Sequence, residues 1–154
     1  MFMFFVVIIL TLLLDQVSKA MVQMLMYHGE SITLVPHVFN LTYILNPGAA
    51  FGLLAYQTSL FVAVTVILTA GVLFGYKKLP MERYLLRYGL GLIVGGALGN
   101  LVDRLRYGFV VDFLDFRMWP VFNLADMAIV TGACLLVWDL LNGNDQRPKK
   151  ERGI

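Results

Sequence analysis

Charge is scarce in this chain of 154 residues, of which only 14% are Asp, Glu, Lys or Arg, against about 25% in a typical soluble domain. Cysteine occurs once, at Cys134, which excludes an internal disulfide and a cysteine-based metal cluster. Inside a long apolar run its default role is that of a small packing residue. The two histidines, His28 and His37, have no ligand-like companions in the sequence. They are expected at the surface, and no metal site is expected. No Lys or Arg precedes Lys19, so the opening segment lacks the basic start of a secretory signal peptide. "DQVSKAMVQMLM" follows it where a small-residue cleavage site would stand, and the segment is expected to be retained as a helix. A net charge of +2 is too small to imply nucleic acid as a partner.

What the chain does have is apolar length. Hydrophobic residues make up 59% of it, and the mean hydropathy is +0.76. No formal charge falls between Met1 and Leu14, Ser31 and Tyr76, or Tyr88 and Val102, and from Met118 to Trp138 the only one is Asp126. A bilayer-spanning helix needs roughly 20 apolar residues. The fold class expected is a mostly α membrane protein forming one domain over residues 1–154. Its four transmembrane helices are expected near residues 1–26, 58–76, 85–104 and 122–141.

The 12 Lys and Arg residues then sort by side. Lys77, Lys78, Arg83 and Arg87 surround the second connection, and Arg147, Lys149, Lys150 and Arg152 lie in the polar tail 142–154. The opposite side holds Lys19, Arg104, Arg106 and Arg117. Basic residues favour the cytoplasmic face, so both termini are expected there. The long connection from Tyr27 to Gln57 is then outside. Its "SITLVPHVFNLTYIL" is β-branched and partly alternating, which reads as short strands. Irregular backbone cannot face lipid, so this extracytoplasmic segment must sit at the interface or line a cavity. Trp119 and Trp138 suit the aromatic belts at the two ends of the fourth span.

The acids stand out against this background. At about 1.5 Å of rise per residue, Asp15 lies roughly 21 Å from the start of the first span, Asp103 roughly 24 Å beyond Arg87, and Asp126 roughly 20 Å before Asp139. In a hydrocarbon core about 30 Å thick, three spans place a carboxylate at one depth, in the outer part of the bilayer. Asp112 follows in the connection between the third and fourth spans. Each residue also has a plainer role. Asp15 and Lys19 are spaced for an ordinary helical ion pair, and Asn123 three residues before Asp126 is a helix cap with an acid in the first turn. Gly91, Gly95 and Gly99 recur every four residues, a stripe suited to close helix packing. Arg104 either snorkels to the interface or joins Asn100 and Asp103 in a polar pocket.

Taken in order, "DQVSK", "NPGAAFG", "GGALGNLVDR", "GFVVDFLDF" and "FNLAD" resemble the bacterial lipoprotein signal peptidases (signal peptidase II), over essentially the whole chain. The resemblance implies an aspartic endopeptidase of the bacterial inner membrane that removes the signal peptide from prolipoproteins, cutting before a diacylglyceryl-modified Cys. It implies Asp112 and Asp126 as the catalytic pair, and Asn46, Asn100, Asp103, Arg104 and Asn123 as substrate-binding residues. Asp15, Lys19, Gly48, Ala49 and Ala50 match motif positions of structural character. It implies no cofactor and no obligate protein partner; the partners are prolipoprotein substrates and membrane lipid.

The chemistry is coherent on its own terms. Peptide hydrolysis needs a base to activate water and an acid to protonate the leaving amine, and two facing carboxylates sharing a proton supply both. A different class, a small transporter or membrane assembly subunit with a polar outer vestibule, would need a polar path across the bilayer. Apart from Arg87 and Asp139 near their cytoplasmic ends, the inner halves of the expected spans carry no charge to line one. The intramembrane aspartyl proteases with a GxGD motif are a rival enzyme class, and no such string occurs in the chain.

Overall fold

The structure, a computed structural model, describes residues 2–48, 54–79 and 83–142. Four long helices carry it: α1 (Phe2–Leu25), α2 (Thr58–Gly75), α3 (Tyr84–Tyr107) and α4 (Leu124–Asn142). All four are long and apolar enough to cross a membrane. They match the spans expected from the uncharged runs to within a few residues, and a 3-10 turn at Tyr76–Lys78 extends α2. The tail from residue 143 onward, and Ala49 and Ala50, lie outside the described residues.

Helix is the form these runs take because a lipid-exposed backbone must satisfy its own hydrogen bonds. α3 stops at Gly108, whose left-handed φ of 78° lets its N–H return to the Arg104 carbonyl at 3.0 Å, a cap that glycine adopts without steric cost.

Three strands form an antiparallel sheet in the order β1 (Ser31–Val35), β2 (Phe39–Asn46) and β3 (Val110–Asp115). The first two are the expected strands between α1 and α2. The third was legible only as a loop. In β3 the pairs Asp112↔Ile44 and Val111↔Leu45 fix the register against β2, which places the first acid of the connection beside Asn46. Val111 and Phe113 bury against Val22, Met26 and Tyr43, so the sheet is fastened to the end of α1. The chain then folds back at once. Leu114 N–H donates to the Phe122 carbonyl at 2.8 Å and Phe122 N–H to the Leu114 carbonyl at 3.1 Å, with the Phe116 and Phe122 rings stacked 5.8 Å apart.

α3 is the central helix, packed against each of the other three. Its closest contacts with α4 are backbone to backbone. A Cβ on Gly96 would stand 2.4 Å from the Ala125 carbonyl oxygen, and one on Gly89 would stand 2.8 Å from that of Gly132. Gly91 and Gly95 are met by α1 through the side chains of Val7 and Thr11 and the carbonyls of Phe4 and Ile8. The expected glycine stripe is therefore the packing surface, joined by Gly89, Gly96 and Gly132. α2 has no buried residue, and Ile67 and Phe74 are 72% and 84% exposed, as side chains turned toward lipid would be. Cys134 is also exposed, which corrects the expectation of a packing role: the α4 face that carries it turns away from the bundle.

Candidate active site

One ammonium sits at the centre of the polar network. Lys19 Nζ lies 2.9 Å from Asp15 Oδ2, 2.9 Å from Asp103 Oδ2 and 2.9 Å from Asn100 Oδ1. Asp15 and Lys19 do form the i,i+4 pair, but as a buried unit that reaches α3 rather than as surface decoration. Burying an ion pair costs desolvation that only good geometry and further hydrogen bonds offset. Those bonds are present. Asp15 Oδ1 accepts from the Ala125 N–H at 3.0 Å and Asp103 Oδ2 from the Val111 N–H at 3.1 Å. Gln16 adds hydrogen bonds to Asp103 Oδ1 at 3.0 Å and to the Gly99 carbonyl at 3.1 Å.

From there donors lead to two further acids. Asn100 Nδ2 donates to Asp126 Oδ1 at 2.8 Å. Asn123 Nδ2 donates to Asp112 Oδ1 at 2.6 Å and to Asn100 Oδ1 at 3.1 Å, and Asn46 Nδ2 donates to Asp112 Oδ2 at 2.8 Å. Asn123 is also the helix cap expected from "NLAD": its Oδ1 accepts the Asp126 N–H at 2.9 Å, and its own N–H donates to Asp126 Oδ2 at 3.2 Å. Capping and site-building are thus one arrangement.

Asp112 and Asp126 both line a cavity of about 390 Å³, with Asn46, Gly48, Asn100 and Arg104 beside them. The rest of the wall is largely apolar, including Phe61 of α2 and Ile129 and Val130 of α4. Arg104 stays in the cavity rather than snorkelling away. It donates to the Gly48 carbonyl at 3.2 Å and lies over the Phe61 ring at 4.4 Å. Burial raises the Asp112 carboxyl to about 7, and the nearby Asp126 carboxylate adds to the rise; the bonds from Asn46 and Asn123 and the Lys19 cation oppose it.

Asp115 goes elsewhere. Its Oδ2 accepts from Thr42 Oγ1 at 2.9 Å and its Oδ1 from the Arg117 N–H at 2.8 Å, and it does not line the cavity.

The family model for signal peptidase (SPase) II matches residues 7–142. The chain belongs to the signal peptidase II family. It is 67% identical over 148 residues, 96% of this chain and 97% of the relative, to a lipoprotein signal peptidase of Pelotomaculum thermopropionicum. It is 55% identical to one of Moorella thermoacetica, over 90% of this chain and 92% of that one. Among solved structures it is similar to a bacterial membrane enzyme determined by the in meso method at 2.3 Å resolution, with a TM-score of 0.90 and 29% identity over 99% of this chain and 96% of that chain. Membership of the signal peptidase II family makes the chain a peptidase, with the four membrane helices of a multi-pass inner-membrane protein.

Within this family member the structure gathers Asp112, Asp126, Asn46, Asn100, Arg104 and Gly48 at the cavity, while Asn123, expected with the substrate-binding residues, is fully buried and reaches the cavity only through its bonds to Asp112 and Asn100. Asp15, Lys19 and Asp103 lie behind the cavity. Asp103 was expected with the substrate-binding residues, but it is 2% exposed and spends its oxygens on Lys19, Gln16 and Val111. Gln16 was not singled out, although its place beside Asp15 in "DQVSK" was a usable signal. Phe61 and Thr65 of α2, which also line the cavity, carried no sequence signal apart from their span.

Proposed function

We propose that the chain is an aspartic endopeptidase that removes the signal peptide from diacylglyceryl-modified prolipoproteins, cutting before the lipidated Cys, with Asp112 and Asp126 as the reacting pair. The observation that carries this reading is the convergence of Asp112 and Asp126 on one apolar-walled cavity, tied together through Asn123 and Asn100.

A water between the two carboxyls would lose a proton to the ionised acid as its oxygen attacks the scissile carbonyl. The protonated acid would donate to that carbonyl oxygen, and the proton taken from water would then pass to the leaving amine. The pair, rather than either member, holds the shared proton. Asn46, Asn100 and Asn123 hold the carboxylates with donors, and Arg104 is placed to take ester or peptide carbonyl oxygens of the substrate. The apolar wall contributed by α2 and α4 suits acyl chains that stay in the membrane.

The deciding experiment incubates the purified chain with a diacylglyceryl-modified prolipoprotein and with its unlipidated form. Cleavage of the lipidated form is expected to exceed that of the other by about 100-fold or more, since burying even a few methylenes at about 0.8 kcal/mol each reaches that ratio. Equal rates would remove lipid recognition from the reading.

The raised Asp112 carboxyl sets an expected pH dependence. A shared proton is needed, so kcat/KM should fall as pH rises through about 7, where Asp112 ionises beside Asp126. A rate that keeps rising to pH 9 would count against the shared-proton scheme. Orientation is tested separately. A reporter after Arg152 should report cytoplasm and one near Tyr56 the outer side; the reverse would put the cavity on the wrong face for an exported substrate.

A further inference from the structure

Lys19 is only 2% exposed and does not line the cavity, yet both reacting acids trace back to it. An ammonium has three protons to donate and no acceptor, and Lys19 directs one each at Asp15, Asp103 and Asn100. The two carboxylates then hold the backbone on either side of the cavity. Asp103 takes the N–H of Val111 and Asp15 that of Ala125, and these are the residues immediately before Asp112 and Asp126.

The third contact fixes a polarity. Because the Asn100 oxygen faces the cation, its amide nitrogen is turned to Asp126. A flipped amide would point its N–H groups at an ammonium that cannot accept them. Asn100 Oδ1 also receives Asn123 Nδ2, the group that donates to Asp112. A single cation therefore sets the backbone position next to each acid and the direction of the hydrogen bonds that reach both.

We propose that Lys19 is a positioning residue: by holding Asp15, Asp103 and Asn100 on one ammonium, it fixes the separation and orientation of Asp112 and Asp126 without touching substrate. The proposal rests on the reading of Asp112 and Asp126 as the reacting pair.

The test uses the full-length chain in detergent with a diacylglyceryl-modified prolipoprotein peptide. Lys19→Met removes the charge and keeps much of the length. It is expected to lower kcat by about 100-fold, as small misplacements of reacting groups do, with KM unchanged. It should also move the alkaline fall in activity to higher pH, because the Lys19 cation favours ionised Asp112. The other charged groups facing Asp112, which are Asp126 on α4 and Arg104 on α3, are left in place. Arg83→Met, which breaks the ion pair between Arg83 and Asp139, is the comparison for a purely structural loss. It should lower thermal stability and leave kcat and the pH profile as they were. If Arg83→Met reproduces both changes, Lys19 has no special role.

If Lys19→Met does not accumulate, Gly99→Ala decides. Its Cβ would stand 2.4 Å from Asp15 Oδ2, displacing that carboxylate from Lys19 without altering any charge. A fall in kcat at constant KM supports the proposal, and an unchanged kcat overturns it. Asp112→Asn is run beside these variants. Cleavage by Asp112→Asn overturns both readings, whereas an inactive Asp112→Asn beside a fully active Lys19→Met overturns the positioning role alone.

Discussion

Asp112→Asn and Asp126→Asn are each expected to lower cleavage by about 10⁴-fold, the upper end of what a positioned general acid or base supplies. Each change keeps the shape of the side chain and removes the titrating group. Asp112 accepts from Asn46 and Asn123, so an amide there turns one N–H toward a donor, at a cost of about 1–3 kcal/mol. The bundle itself, held by α3 against its neighbours, should still insert and accumulate. The double variant should be little worse than either single one, because groups that act as a unit are strongly non-additive. Asp115→Asn is the internal comparison. Its partners are Thr42 and the Arg117 backbone, so it should retain most activity and lose about 1 kcal/mol of stability. Rates measured on the lipidated substrate decide. Activity in Asp112→Asn with none in Asp115→Asn would mean that the wrong acid had been paired with Asp126. Full activity in all three would end the two-carboxylate reading.

That comparison also shows how far the sequence could be read. Asp112 and Asp115 are three apart, so an extended segment must send them to opposite faces, but spacing alone does not say which one meets Asp126. The family motif selected Asp112, and the β2 register supplies the physical reason by setting Asp112 beside Ile44 and within reach of Asn46. The spans were legible because apolar length is a composition signal that survives without any contact information. The common depth of Asp15, Asp103 and Asp126 was legible from the helical rise, and these three acids do join one network, through Lys19 and Asn100.

Other features depended on tertiary partners. β3 has no strand signature strong enough to stand alone, since "VVDFLD" becomes a strand by pairing with β2 and by burying Val111 and Phe113 against α1. The short connection between the two acids closes because Phe122 returns to pair with Leu114, a contact that no local rule requires. Plain and functional readings also proved compatible. The Asn123 cap and the Asp15–Lys19 pair are ordinary helix devices, and the fold uses both to hold the cavity's acids.

Packing and chemistry meet most closely at Gly96. Gly96→Ala is expected to cost about 1–3 kcal/mol, the usual price of overpacking a filled interior, because its Cβ would stand 2.4 Å from the Ala125 carbonyl oxygen. Backbone cannot swing aside as a side chain does, so α3 and α4 must part or α4 must slide. Ala125 precedes Asp126 and is the residue whose N–H Asp15 holds. A shift of α4 therefore moves the second acid and loosens its tie to Lys19. Activity should fall by about 100-fold, as expected for a misplacement near 1 Å. The same substitution at Gly71 or Gly75 of α2 meets nothing within 4 Å. There an alanine should leave activity unchanged and add about 0.5–1 kcal/mol of helix stability. Thermal unfolding and initial rates on the three variants separate the cases. If Gly96→Ala keeps both its stability and its rate, the close approach of α3 to α4 is not what places Asp126.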